Sequence, residues 1–492
     1  MKQTKRILAV VLALIFSLAL MPISNVSATT KKAKLNKTKT TIYVGQTVTL
    51  KLKNSKKKAK WSSLNKKVAT VSKKGKVKGK KAGKATITAK VGTKKYKCKI
   101  TVKEKVAVQP TKPSEQPTMK PSEQPTKPAE PVDDSTSDKK IIKKIIKEQI
   151  DNNEANVSED IFDEDEYKWE NGRLVSINWE DKGIKGDLDF SGLSALEDLN
   201  CDYNEISQLN ISNNLKLNSL YCNDNELTRV DVTKNLLLTE LGCCNNELTE
   251  LNVTGNKYLE ELFCQGNELT ELDVVGNINL LELSCGDNEL TELDIANNIN
   301  LEYLWVGNNK LTELDVSQNC ELNTLLCENN KLTKLDVTQE LALTYLECSY
   351  NKLSELNLKN NINLEVLSCS GNELTKLDIT KNINLKDLSC EYNELTELDV
   401  TKNSDLEELS CSNNELSELS VTKNLALTML KCNYNKLVVL NVINNAKLHE
   451  LSCIGNQITK LDLRNNNELL KLNCDSTVQV TGFDKVDNGF YN

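Results

Sequence analysis

Cysteine, histidine and carboxylate are the side chains that could do chemistry in this chain, and their spacing argues against most of it. Cysteine recurs at 201, 222, 243, 264, 285, 327, 348, 369, 390, 411, 432, 453 and 474, every 21 residues, with Val306 in the one missing place. A zinc site would need close ligand pairs or added histidine, and directly stacked side chains do not meet disulfide geometry. Because Val306 stands in the same series, these thiols are expected to be buried and to act as small hydrophobes. Cys98 is expected in a core, whereas Cys244 and Cys320 fall at turn positions where they could react.

The only histidine, His449, lies at an outward position with no motif around it, so no Ser-His-Asp or Cys-His arrangement is expected and no catalytic residue is assigned. Asp231, Asp273, Asp294, Asp315, Asp336, Asp378, Asp399 and Asp462 recur between two inward residues. Such a column is ordinarily solvated. It could collect calcium, yet no loop supplies the six or more oxygens that ion takes, and neither metal nor cofactor is assigned.

The elements that position these residues follow from the same period. Each 21-residue unit holds two similar halves, as in LEELFCQGNEL and TELDVVGN within 259–277. Alternate apolar residues such as Leu262 and Cys264 imply short strands, followed by a turn whose asparagine bonds neighbouring backbone. One asparagine series runs from Asn204 to Asn456 and a second from Asn214 to Asn466, the latter broken only by Glu340. Two strands per coil predict a mainly β solenoid over 196–474 with two long parallel sheets and a leucine core. Fourteen rungs at ~4.8 Å give a rod roughly 60–65 Å long. Segment 139–195, with Ile141, Ile142, Ile145, Ile146 and Ile150 at helical spacing, reads as an N-terminal cap, and 475–492 as a C-terminal one.

Upstream, composition sets the boundaries. Met1 to Arg6 is basic, Ile7 to Leu20 is apolar and Val26-Ser27-Ala28 offers a cleavage point, so 1–28 reads as a secretory signal peptide and no membrane span is expected after its removal. Residues 31–104 hold 26 lysines and one glutamate in a chain whose net charge is −6. Seven prolines between Pro110 and Pro131 mark 105–138 as an extended linker. Alternation of Tyr96, Cys98, Ile100 and Val102 with outward lysines makes 31–104 a small β unit.

Two resemblances follow from these motifs. VGQTVTL at 44–50, Trp61-Ser62-Ser63 and VATVSKKGKVKGKKAGKATI at 68–87 resemble the group 2 bacterial Ig-like domain, which implies a small β-sandwich of the kind carried by surface adhesins and wall-associated enzymes. The array resembles bacterial leucine-rich repeats of the nested 21-residue IRREKO type and, more distantly, internalins. That implies a secreted or surface-attached, non-enzymatic binding or adhesion protein, cell-wall associated in a Gram-positive bacterium, with a protein on another cell as partner. The lysine-rich unit could in addition hold an anionic wall polymer, which makes a glycan- or wall-binding structural protein, or an accessory to a wall enzyme, the alternative. Nucleic acid is not an expected partner outside the cell. No Leu-Pro-x-Thr-Gly sorting signal lies near the C-terminus.

A candidate partner-binding strip lies on the first strand of each coil. Tyr221, Phe263 and Trp305 are 42 residues apart, joined by Leu326 and by Tyr303 and Tyr345 on their strands. With alternate rungs ~10 Å apart, these side chains are expected to form one exposed apolar strip along 221–345. Aromatic anchors of this kind are frequent interface hot spots.

Overall fold

The computed structural model describes residues 34–35, 39–43, 47–53, 59–91, 94–103 and 135–483. The signal-peptide segment, nearly all of the proline-rich segment and the last nine residues lie outside them. The chain divides into two compact units, 1–126 and 127–492.

In the first unit, Lys39–Tyr43, Lys94–Lys103, Gly83–Val91 and Lys60–Ser63 form a four-stranded sheet in that order, and Thr47–Thr49, Lys76–Gly79 and Ala69–Val71 a three-stranded one. Leu50, Val77, Ile87, Ala89, Cys98 and Ile100 fill the space between. The predicted alternation holds: Cys98, Ile100 and Val102 are closed to solvent while Lys97 and Lys99 are exposed. Gly75 is required where it stands, because its φ is +89° and a Cβ there would meet the Leu50 carbonyl oxygen at 2.3 Å.

The first described element of the second unit is helix α1 (Ser135–Asn153), which starts inside the segment read as linker. Ile142, Ile145 and Ile146 face inward and cover the first coils together with Trp179 and Phe190. Asp138, fully buried in the first turn, accepts both guanidinium bonds of Arg173 at 2.8 and 3.1 Å and the Leu174 N–H at 3.0 Å. That pairing pins the helix to the sheet, since a buried carboxylate is tolerated only when charge and lone pairs are both met.

From there one sheet of sixteen strands runs the length of the unit, opening with the antiparallel pair Tyr167–Glu170 and Arg173–Asn178 and continuing parallel from Asp198–Asn200 to Lys471–Asn473. Each residue pairs with the one 21 positions on, as Leu262 with Leu283. The middle leucine of each strand and the following cysteine are closed to solvent. The mainly β, leucine-rich-repeat solenoid expected from the period is therefore what forms.

The second segment of each coil differs from expectation. It forms strand pairs only at the ends, Lys185–Asp189 with Glu205–Asn210 and Lys460–Asp462 with Gln479–Thr481. Between them it carries a single backbone bond from coil to coil, such as Glu268 N–H to Leu248 O at 2.9 Å. A tight turn follows each of these segments. Asp273 Oδ1 accepts the Val275 N–H at 3.0 Å, and the same bond recurs at Asp294, Asp315 and Asp336. These aspartates close the turn after each second segment, as Asp189 and Asp462 do after the end segments that pair as strands.

Asparagine ladders tie the coils together. Asn267 gives its amide hydrogens to Cys243 O and Cys264 O, both at 3.0 Å, while its Oδ1 accepts the Leu248 N–H at 3.0 Å. In the second ladder Asn277 donates to Val253 O and Asn256 O, both at 2.9 Å. Glu340 occupies one rung of that ladder, fully buried and without an amide to donate.

Candidate binding face

In each three-residue strand the middle leucine points inward, so the first and third residues stand on the outer face of the sheet. The register places Glu282, Tyr303, Thr324 and Tyr345 side by side in one row. Tyr221, Gly242, Phe263, Ser284, Trp305 and Leu326 follow one another in the next. All six predicted strip residues thus share one face, in two adjacent rows.

Their exposure is not as predicted. Tyr221, Tyr303 and Tyr345 are half-buried, but Phe263, Trp305 and Leu326 are only 3%, 7% and 4% exposed. The Trp305 and Tyr221 rings lie along the sheet rather than standing away from it, where glycines beside them leave room. A Cβ on Gly286 would lie 2.5 Å from Trp305 Cε2, and one on Gly242 2.6 Å from Tyr221 Cδ1. Hydrogen bonds hold the flattened rings: Trp305 Nε1–H donates to Glu328 Oε1 at 3.0 Å, and the Tyr221 hydroxyl to Glu240 Oε2 at 3.1 Å.

The carboxylates that accept those bonds belong to a set that the aromatic pattern did not reveal. Burial pushes the Glu328 carboxyl up to about 7, although its bond from Trp305 acts in the opposite sense. Burial likewise raises Glu347, and it raises Asp387 to about 6 with help from Glu408. Desolvation also raises the phenols of Tyr303 and Tyr345. The face therefore presents half-buried aromatic rings beside carboxyl groups already stripped of much of their water, an arrangement suited to hydrogen-bond donors and cations. Glu328 and Glu347 could have been found from the 21-residue register, since each sits beside or across from an aromatic position.

The remaining candidates resolve differently. The thirteen ladder cysteines are buried, and burial pushes thiols such as Cys243 and Cys285 up to about 12, so they are not thiolates. Cys244, expected at a reactive turn, is only 3% exposed, and its backbone N–H donates to Asn223 Oδ1 at 2.7 Å. Burial also raises its thiol. Cys320 is exposed. His449 is half exposed, with Nε2 3.5 Å from Glu468 Oε2. Among the described residues no group of three or more His, Cys, Asp or Glu is placed to hold a metal, and no helix is long and apolar enough to cross a membrane.

Comparison with known proteins agrees with this architecture. Residues 25–102 match the bacterial Ig-like domain (group 2). No curated protein matches significantly in sequence. Among solved structures, the functional domain of InlJ from Listeria monocytogenes, described as including a cysteine ladder, is 37% identical. That match covers 62% of this chain and 68% of that one, with a TM-score of 0.59. A leucine-rich-repeat protein of Leptospira interrogans is 26% identical over 58% of this chain and 79% of its own, with a TM-score of 0.54. YopM, a leucine-rich effector protein from Yersinia pestis, shows the fold alone at 24% identity, covering 61% of this chain and 88% of its own with a TM-score of 0.50. With the coil length, the cysteine series and this identity in hand, the chain belongs to the internalin-like leucine-rich-repeat proteins that have a cysteine ladder, and it carries a group 2 bacterial Ig-like domain ahead of its repeats.

Proposed function

We propose that this chain is a non-enzymatic, extracellular binding protein that uses the outer face of its sixteen-stranded sheet to hold another protein. The observation that supports the reading is the patch in which Tyr303 and Tyr345 stand half-buried beside the desolvated carboxyls of Glu328 and Glu347. Half-buried rings offer apolar contact area, and partly dried carboxyls reward a partner that brings donors. The leader at 1–28 would deliver the protein to the cell exterior, and the partner would be a protein on another cell or in the surrounding community. Capture of surface proteins by the full chain, compared with its Tyr303→Ala/Tyr345→Ala form, tests this. Loss of capture in the double variant is expected, and equal capture by both would refute the role of the face.

A second role rests on the first unit. Lys76, Lys78, Lys95, Lys97 and Lys99 are exposed on its strands, and few acidic groups offset them. Such a surface favours anionic wall polymers in a Gram-positive envelope, with retention that weakens as salt rises. Retention of the full chain on purified wall polymer, insensitive to salt between low and physiological strength, would exclude that mode.

A further inference from the structure

Four tyrosines occupy one turn position of the repeat: Tyr203, Tyr350, Tyr392 and Tyr434. Each has a positive φ, from +51° to +56°. Other coils place Asp287, Asn308, Asn329 or a glycine such as Gly371 there, the residues that tolerate this left-handed backbone. A bulky aromatic residue is strained in that conformation. The fold alone gains nothing from the strain, since asparagine serves the same turn elsewhere.

The last three recur every 42 residues, on alternate coils, which sets them about 10 Å apart along the rod. They are the opposite of Trp305 in exposure, at 56%, 56% and 59%. Glycine on the next coil lets the ring lie down: a Cβ on Gly371 would be 2.6 Å from Tyr350 Cδ1, and one on Gly455 2.5 Å from Tyr434 Cδ1. One face of each of those two rings therefore rests on backbone while the other meets solvent. The backbone donors of the turns are already used, Tyr350 N–H on Ser370 O at 2.7 Å, Tyr392 N–H on Ser412 O at 3.0 Å and Tyr434 N–H on Ile454 O at 2.7 Å. A peptide strand would find none of these N–H groups to pair with.

We propose that Tyr350, Tyr392 and Tyr434 form a stacking platform for an uncharged, extended β-1,4-linked polysaccharide. Such a chain shows the same flat C–H face on every second sugar, a repeat close to the two-coil spacing, and flat uncharged rings are the complementary surface. Glu391 and Asn413, polar and only half-buried at the same turns, are placed to meet sugar hydroxyls, as is the amide nitrogen of Asn433, whose Oδ1 already accepts from Ser452 and Ile454. The proposal stands apart from the sheet-face reading, since it uses other residues on another part of the coil.

The test is calorimetric titration of the full chain with cellohexaose and with chitohexaose, and of its Tyr350→Asn/Tyr392→Asn/Tyr434→Asn form. Asparagine is native at this turn in other coils, so the variant should fold and melt no lower than the parent. At least one hexasaccharide is expected to bind about tenfold or more tighter than its trisaccharide, because several platforms act together. The triple variant should lose about tenfold or more of that affinity, and tyrosine-to-phenylalanine changes should retain most of it. Tyr303→Ala/Tyr345→Ala should leave hexasaccharide binding unchanged even if it abolishes protein capture. Binding of neither hexasaccharide, or equal binding by the triple variant, overturns the proposal. So does a triple variant that loses only protein capture, which would make the row a protein contact.

Discussion

Trp305 lies across Gly286, one rung away, so closely that a methyl group on the glycine would sit 2.5 Å from the indole Cε2. A ring held this way on the outer face of a sheet is packed rather than offered, and its exposure of 7% follows from the glycine as much as from the tryptophan. Gly286→Ala should therefore lift the indole and break its bond to Glu328. A loss of about 1–3 kcal/mol in urea unfolding and a red shift in tryptophan emission are expected. An unchanged spectrum would mean that the ring does not depend on the gap.

The Glu328 carboxyl, held up at about 7, binds a proton in the native state that the unfolded chain, with a carboxyl near 4.3, has already released. Its contribution to stability is thus present below about pH 4.3 and is lost as pH rises through 7. Glu328→Gln keeps the shape and removes the titration. Stability measured from pH 5 to 8 should fall less steeply in the variant, which should exceed the parent at pH 8 by roughly 1–3 kcal/mol.

Glu340 interrupts a ladder in which every neighbour donates twice, as Asn361 does to Val337 O at 2.8 Å and Glu340 O at 3.0 Å. By the same register the Val316 and Asn319 carbonyls face a carboxyl that, ionised, has no hydrogen to give. Burial raises it to about 7, with Asp336 and Asp315 adding to the shift. Glu340→Asn should restore the rung and raise stability by about 1–2 kcal/mol at pH 8. The gain should shrink toward pH 5, where the carboxyl is protonated and can donate. Denaturant midpoints at the two pH values check this, and a loss at both would show that the site is shaped for glutamate.

Of the sixteen cysteines only Cys320 is exposed. A colorimetric thiol reagent should label one group in the native protein, none in Cys320→Ser, and all sixteen of the parent after denaturation. Cys264→Val should cost less than about 1.5 kcal/mol, as Val306 already fills the same position in the array. Rapid labelling of several native thiols would contradict the packing.

Asn288 donates to Cys264 O, Cys285 O and Gly286 O, and its Oδ1 accepts the Leu269 N–H at 2.9 Å. Asn288→Ala should cost roughly 2–3 kcal/mol, since buried backbone groups are left unpaired. Because each coil leans only on its neighbours, hydrogen exchange should rise first around residues 264–290.

Much of this architecture is legible in the residues. The 21-residue series names the stacked core leucines, the thirteen ladder cysteines, both asparagine ladders and the exception at Glu340, because period alone decides which residues stack, but it misses the burial of Cys244. It also puts Tyr221, Phe263 and Trp305 on one face. Their burial escapes it, for the glycines that let the Tyr221 and Trp305 rings lie flat sit at 242 and 286, on neighbouring coils. The second strand of each coil misleads because its apolar alternation matches the first, while away from the ends it makes a single backbone bond to the neighbouring coil.

Repetition in the sequence was enough to determine the coil, its core and the class of protein, since a pattern repeated without insertion leaves one way to bury its leucines. Only the tertiary structure decided which aromatic rings are covered and which are presented. Tyr434 and Trp305 differ little as residues in a row of letters. Both rings lie over a glycine of a neighbouring coil, but Tyr434 sits on a left-handed turn with its other face to water, while Trp305 on the sheet is also bonded to a carboxyl from the coil on its other side. Exposure is a property of cross-coil neighbours, and those become neighbours only when the solenoid closes.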